Sequence, residues 1–224
     1  MNEITPQFEQ FAAHLRRYQD EGKTVFASSS FQTHSLPMLH MISRIQPDIP
    51  IYFLDTGYHF PETLAFRDEI STAFGLNIVN ISSPIDKVKQ RDEHSQLLFS
   101  SDPDHCCFLN KTLPMEPVLH DYDVWISGVR KDQSSVRAEF SYEQPGKHNT
   151  TRLHPMLEWN SKMIWAYRKE FDLPVHPLEE RGFLSIGCLP CTRKFDMTGD
   201  TDRQGRWAGM KKTECGLHTD LANK

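Results

Sequence analysis

Apolar positions recur along this chain in two periods, and the two alternate. Phe8, Phe11, Ala12 and Leu15 fall at i, i+3, i+4 and i+7, which predicts an amphipathic helix over residues 6–20, ended by Glu21-Gly22. Thr24-Val25-Phe26-Ala27-Ser28 is short and apolar, the pattern of a buried strand. Leu36 to Ile45 reads as helix, with Ser35 as N-cap and Pro37 in the first turn, where a missing N–H costs nothing. Ile49 to Leu54 is the next strand, Pro61 opens a helix that runs to Phe74, and Leu76 to Ile81 is a third strand. Residues 85–120 read as helices broken by Pro103, Pro114 and Pro117, and Val124 to Ser127 as a fourth strand. Residues 131–150 are polar, include Gln144-Pro145-Gly146-Lys147, and read as a surface loop. Ser161 to Phe171 is a helix containing Trp165 and Tyr167.

Strand and helix alternate with short connections, which predicts an α/β fold: a parallel sheet with helices on both faces. From Gly182 onward the periodicity fades, so residues 182–224 are expected to form a loop-rich C-terminal arm on a nucleotide-binding body of residues 1–181. Neither an internal repeat nor a low-complexity tract is present. No apolar run approaches the roughly 20 residues of a membrane span, and Met1 to Gln10 lacks the apolar core of a signal peptide. A cytoplasmic chain without membrane attachment is the expectation. A net charge of −5 argues against general nucleic-acid binding but not against a local basic pocket for a small anion.

Cysteine placement changes the picture. In a reducing compartment, clustered thiols suggest metal or catalysis before disulfides. Two close pairs, Cys106-Cys107 and Cys188-Leu189-Pro190-Cys191, offer four thiolates, which suits zinc or an iron–sulfur cluster. Two buried free cysteines or a C-x-x-C redox pair are the simpler readings. Neighbouring side chains on a helix point about 100° apart, so the backbone must bend for Cys106 and Cys107 to reach one centre. If those four hold a metal centre, Cys215 is left over, in Lys211-Lys212-Thr213-Glu214-Cys215-Gly216-Leu217-His218. A thiol beside lysines and histidine can be a nucleophile; a surface cysteine near the chain end is the alternative.

Two turns lie where ligands of open α/β sheets bind, at the carboxyl ends of strands. Ser28 to Ser35 follows the first strand and precedes a helix N-terminus, whose N–H groups favour an anion; a hydroxyl-rich turn with an N-cap is the plainer account. Leu54-Asp55-Thr56-Gly57-Tyr58 ends the second strand. Lys111, Arg130, Lys131, Arg137, Arg152, Arg193, Arg203 and Arg206 supply cations. Most such residues are a solvated face, but Arg130 follows a strand end, and Arg203 and Arg206 can clamp one anion together.

Taken together, these residues resemble the assimilatory sulfonucleotide reductases, which act on adenylyl sulfate (APS) or 3′-phosphoadenylyl sulfate (PAPS). The marks are Ser28-Ser29-Ser30-Phe31, Asp55-Thr56-Gly57 with Phe60-Pro61-Glu62-Thr63, and Cys106-Cys107 with Lys111 and Pro114. They continue with Gly128-Val129-Arg130-Lys131-Asp132-Gln133-Ser134, His176-Pro177-Leu178, Gly182 to Cys188, Gly205-Arg206-Trp207 and Glu214 to His218. The resemblance implies an adenine-nucleotide α-hydrolase-like fold. It implies that Ser28, Ser30, Phe31 and Ser35, with Asp55, Thr56 and Gly57, hold the adenylyl part. Lys111, Arg130, Arg203, Arg206 and His218 would surround the phosphosulfate. Cys106, Cys107, Cys188 and Cys191 would hold a [4Fe-4S] cluster, and Cys215 would be the nucleophile. The related ATP-pyrophosphatase loop is richer in glycine and ends in Asp-Ser; here it ends in His34-Ser35, which suits a substrate without pyrophosphate.

The implied reaction is reduction of APS to sulfite and AMP through an S-sulfonated Cys215, in assimilatory sulfate reduction and so cysteine biosynthesis. With four thiols on a cluster the chain has no second thiol to release sulfite, so an external reductant is expected: thioredoxin or glutaredoxin. A PAPS reductase is the close alternative, and a non-catalytic iron–sulfur or zinc redox sensor the distant one. Association with further copies of the chain stays open.

Overall fold

Val25–Ser28 (β1) is the strand that the sheet is built around. In the computed structural model, which describes residues 5–194, 205–207, 210, 212 and 214–221, the sheet has the strand order β3-β2-β1-β4-β6-β5. The other strands are Pro50–Asp55 (β2), Asn77–Ser82 (β3), Val124–Ser127 (β4), Glu143–Pro145 (β5) and Thr151–Leu153 (β6). β1, β2, β3, β4 and β6 run parallel, and β5 closes one edge antiparallel to β6. The helices are Thr5–Asp20 (α1), Leu36–Ile45 (α2), Pro61–Phe74 (α3), Leu98–Ser101 (α4), Pro103–Cys107 (α5), Leu113–Asp121 (α6), Ser135–Ala138 (α7) and Ser161–Glu170 (α8).

Side chains of the central strands alternate between two cores, as the strand period of two requires. Ala27, Val124 and Ile126 face one core with Phe11 and Leu15 of α1, Leu39 and Ile42 of α2, and Ile164 and Tyr167 of α8. Phe26 and Trp125 face the other with Met115, Val118 and Leu119 of α6, and Leu221 from the end of the chain joins them. The sheet is thus covered on both faces. α3 ends at Gly75, whose φ of 63° is the left-handed conformation that terminates a helix, with its N–H returned to the Ser71 and Thr72 carbonyls.

One expectation needs correcting. Residues 131–150 are not simply a loop: they contain α7 and the edge strand β5, and β6 follows directly. Glu143-Gln144-Pro145 lacks the apolar alternation of a strand because it is an outer edge, where polar residues and proline are tolerated. No described helix is long and apolar enough to cross a membrane.

Candidate active site

β1 pairs with β2 on one side and with β4 on the other, with Ser28 beside Ser127. The chain therefore leaves β1 and β4 toward opposite sides, which opens a crevice at the carboxyl end of the sheet. The loops after β1 (Ser29 to Ser35) and after β4 (Gly128 to Gln133) contribute to the wall of a cavity of about 350 Å³ there, closed by residues 185–188 and by Arg206, Trp207, Cys215, Leu217 and His218. That volume suits a small molecule.

Ser28, Ser30 and Ser35 line this cavity. Ser28 Oγ accepts a hydrogen bond from Trp125 Nε1 at 2.8 Å, and Ile186 N donates to Gln32 Oε1 at 3.0 Å, tying the serine loop to the cysteine arm. Phe31 is turned inward. It adopts a φ of 52° and its buried ring meets Phe53 edge-on at 5.9 Å. Asp55, Thr56 and Gly57 are likewise off the cavity wall, where Phe53, Leu54 and His59 stand instead. Asp55 accepts from Gly57 N at 2.8 Å, which shapes the turn, and Lys87 Nζ donates to the Gly57 carbonyl at 2.8 Å.

Among the described residues, four cationic side chains reach the cavity: Lys111, Arg130, Arg137 and Arg206. Arg130 is buried against Asp132, Nε to Oδ1 2.9 Å, and its Nη1 is buried with no hydrogen-bond partner among the described residues. A donor left in that state is costly without an acceptor, which points it toward an anion. The Arg206 guanidinium lies directly on the backbone of Gly187, where an added Cβ would come within 2.3 Å of Cζ, and 4.6 Å above the Trp207 ring. Only glycine at 187 admits that approach. Arg203 lies outside the described residues.

The two cysteine pairs converge. Cys106 and Cys107 end α5, which opens into a π turn over Phe108–Thr112, a feature frequent at functional sites. This widened turn provides the bend that adjacent cysteines need and carries Lys111. Cys106, Cys107, Cys188 and Cys191 line one small recess with Tyr58, Phe99 and Asn110. Burial, then repulsion from the three other thiolates, pushes the Cys106 thiol up to about 12; burial, then Cys188 and Cys107, pushes Cys191 up to about 11. Four thiols this close cannot ionise together without cationic charge among them. Thr56 Oγ1 lies 3.2 Å from Cys188 Sγ and Asn110 Nδ2 3.6 Å from Cys106 Sγ, the outer hydrogen bonds that a thiolate-held metal centre uses. These residues fit a [4Fe-4S] cluster or another thiolate-bound metal.

Cys215 lies on the cavity wall beside that recess. Burial opposes the charge on Lys111, but the thiolates of Cys215, Cys188 and Cys107 outweigh it and hold the amine above its ordinary value. Lys111 is therefore a fixed cation between the recess and Cys215. A carboxylate latch holds the cysteine in place. Arg137 Nε and Nη2 each donate to Glu214 at 2.9 Å, Ser134 Oγ donates to Glu214 Oε2 at 2.8 Å, and Cys215 N donates to Oε1 at 2.9 Å. Next to it, Arg152 Nη2 donates to His218 Nδ1 at 3.0 Å, so the proton of a neutral His218 ring is on Nε2. Arg152 is fully buried between Trp125 and Phe140, 4.7 and 5.1 Å from the ring centres.

Sequence reasoning gathered Ser28, Ser30, Ser35, Lys111, Arg130, Arg206, Cys215 and His218, which the fold brings to one cavity. Arg137 and Arg152 were only two among many cations, and His59 carried no signal at all. Thr56 matters through Cys188 rather than through the cavity.

The sequence profile of the phosphoadenosine phosphosulfate reductase domain matches residues 24–194. The chain is 33% identical over 201 residues to the adenosine 5′-phosphosulfate reductase of Salinibacter ruber, covering 88% of this chain and 79% of that protein. It is 37% identical over 201 residues to the phosphoadenosine 5′-phosphosulfate reductase of Gloeobacter violaceus, covering 88% and 83%. In fold it is similar to the Candida auris phosphoadenylyl-sulfate reductase crystallised with phosphate, with a TM-score of 0.66 at 21% identity, covering 84% of this chain and 96% of that one.

Proposed function

The chain belongs to the phosphoadenosine phosphosulfate reductase family, and from that membership we propose that it reduces adenylyl sulfate to sulfite and AMP, with electrons from thioredoxin or a like dithiol. The observation that carries this reading is Cys215: a buried thiol on the wall of the switch-point cavity, beside Lys111 and Arg206. Residues 1–181 serve as the nucleotide-binding body and residues 182–224 as the arm that delivers Cys215.

Ser28, Ser30 and Ser35 bind the adenylyl part at the N-terminus of α2. Lys111, Arg130 and Arg206 surround the phosphosulfate, with Arg203 joining them and His218 Nε2–H donating to an oxygen. The Cys215 thiolate attacks sulfur, the bond from sulfur to the phosphate oxygen breaks, and AMP leaves carrying that electron pair. The phosphate is a stable anion, so no proton need be delivered to it; the cations offset the charge that builds on its oxygens. Cys215 is left S-sulfonated. A dithiol then attacks Cys215 Sγ and releases sulfite with the bonding electrons, and its second thiol frees Cys215 as the dithiol becomes a disulfide. Cys106, Cys107, Cys188 and Cys191 would hold a [4Fe-4S] cluster, which would supply fixed charge to the site that Lys111 shares with them.

PAPS is the second reading, favoured by the 37% identity to the Gloeobacter enzyme named for that substrate. Sulfite release from APS and from PAPS in parallel, with thioredoxin, separates the two; faster turnover of PAPS overturns the choice of APS. Without reductant, APS is expected to give one AMP per site and add one sulfonate to Cys215, seen by mass spectrometry. Cys215→Ser is expected to keep its iron and give no AMP burst. An unmodified Cys215 or an active serine variant would remove Cys215 as nucleophile.

A further inference from the structure

Away from the cavity and the cysteine recess, a second group of ligand-type side chains comes together. Glu116 and His120 are one turn apart on α6, so both project from the same side of the helix. His148 reaches them from the turn between β5 and β6. It adopts a φ of 54°, in the left-handed region that side chains rarely take. Around it, Gly146 N donates to the Thr150 carbonyl at 2.7 Å and Thr150 Oγ1 donates to the Lys147 carbonyl at 2.6 Å, fixing the turn. His148 Nε2 is hydrogen-bonded to Glu116 Oε2, and the two imidazole rings stand only 3.8 Å apart, centre to centre.

We propose that Glu116, His120 and His148 bind a divalent cation of the zinc type, as two imidazole nitrogens and one carboxylate oxygen. The ligand atoms of all three lie within 4.8 Å of one another. Zinc bonded to such atoms at about 2.0–2.2 Å in a tetrahedron sets them roughly 3.4 Å apart, a contraction that side-chain rotation supplies. Imidazole and carboxylate together select borderline metals over calcium or magnesium, which prefer oxygen alone. His120 and His148 are exposed and Glu116 is half-buried, so the fourth position is open to water. Lys147 Nζ is 3.5 Å from Glu116 Oε1 and is the competing cation, but its half-exposed side chain can leave to solvent when a metal arrives. Bound there, the metal would tie α6, the helix that follows Lys111, to the edge hairpin of the sheet.

The test uses untagged, iron-loaded protein carrying Cys215→Ser, which removes the thiol outside the recess. Zinc chloride is titrated calorimetrically, and zinc and iron per chain are measured by elemental analysis after dialysis. The parent is expected to take up one zinc per chain. The double variant His120→Ala/His148→Ala is expected to lose that site with its iron unchanged. Glu116→Gln, which keeps the shape of the side chain, is expected to weaken it by about tenfold or more. Zinc is also expected to raise the melting temperature of the parent but not of the double variant. Absence of saturable zinc binding by the parent overturns the proposal, leaving an ion pair and two tilted rings in contact. Equal zinc uptake and affinity in the parent, the double variant and Glu116→Gln overturns it as well. The result does not depend on the sulfonucleotide reading, because it compares variants of a site outside that cavity.

Discussion

Glu214→Ala tests the latch. The carboxylate is 3% exposed and takes two parallel bonds of 2.9 Å from Arg137, itself 10% exposed, with further bonds from Ser134 and from the Cys215 amide. Breaking a buried pair by removing one partner costs about 3–5 kcal/mol. That cost falls on the docked arrangement of Cys215 and not on the whole fold, since Arg137 regains water when the segment lifts away. At the lower figure of ~3 kcal/mol the docked fraction falls by about 150-fold when the latch is its main support. The burial of Leu221 and the hydrogen bond from Lys212 to Asp104 also hold the segment, so at least a tenfold slowing of chemistry is expected. Glu214→Gln keeps the size and acceptors but loses the charge, which costs about 1.5 kcal/mol and roughly tenfold. The assay is the AMP burst from APS in single turnover, measured by rapid quench. Alkylation of Cys215 is followed in parallel, because an undocked thiol leaves its 8% exposure and reacts faster. A burst and an alkylation rate in Glu214→Ala both equal to those of the native protein would refute the latch.

Cys106→Ser, Cys107→Ser, Cys188→Ser and Cys191→Ser are each expected to lose iron and activity, because a thiolate-held cluster tolerates ligand loss poorly; full iron and turnover in any one removes that cysteine from the ligand set. Lys111→Ala and Arg206→Ala are each expected to bind the sulfonucleotide about 10- to 150-fold more weakly, the effect of one charge-assisted bond of about 1.5–3 kcal/mol, while keeping their iron; unchanged dissociation constants in both would place the anion elsewhere. Burial lowers the buried, neutral His154 and His176 to about 4 from 6.5. The unfolded chain takes up protons below pH 6.5 that the folded one refuses, so stability is whole above pH 6.5 and declines as pH falls toward 4. His176→Gln is expected to shrink the drop in denaturation midpoint between pH 7 and pH 5, and an undiminished drop would contradict the assignment.

Much of the fold was legible because β1, β2, β3 and β4 are apolar runs separated by amphipathic helices. The edge was not. β5 and β6 are three residues each, too short for a periodicity, and β5 is polar because it faces outward. At the site, cysteines and serines announced themselves by spacing and by their place after strands. Burial of a cation does not announce itself: Arg137 and Arg152 look like surface arginines until Glu214, His218 and the aromatic rings are folded around them. Phe31 misled for the opposite reason, since it stands within the serine motif but its ring belongs to the core. The bend demanded of Cys106-Cys107 was foreseeable, whereas its form, a π turn that also places Lys111, was not.

The pairing of residues 205–207 with the cysteine arm has a geometric consequence. Arg193 N donates to the Gly205 carbonyl at 2.7 Å and Trp207 N to the Cys191 carbonyl at 2.9 Å, so the chain is moored beside Cys191 at Trp207. Cys215 comes eight residues later, a leash whose fully extended span is about 26–29 Å. For the dithiol step proposed above, that radius, measured from Trp207, bounds where Cys215 would meet its reductant without breaking the mooring. A dithiol would then have to come within that distance of the cysteine arm, whether Cys215 stays on the cavity wall or leaves it.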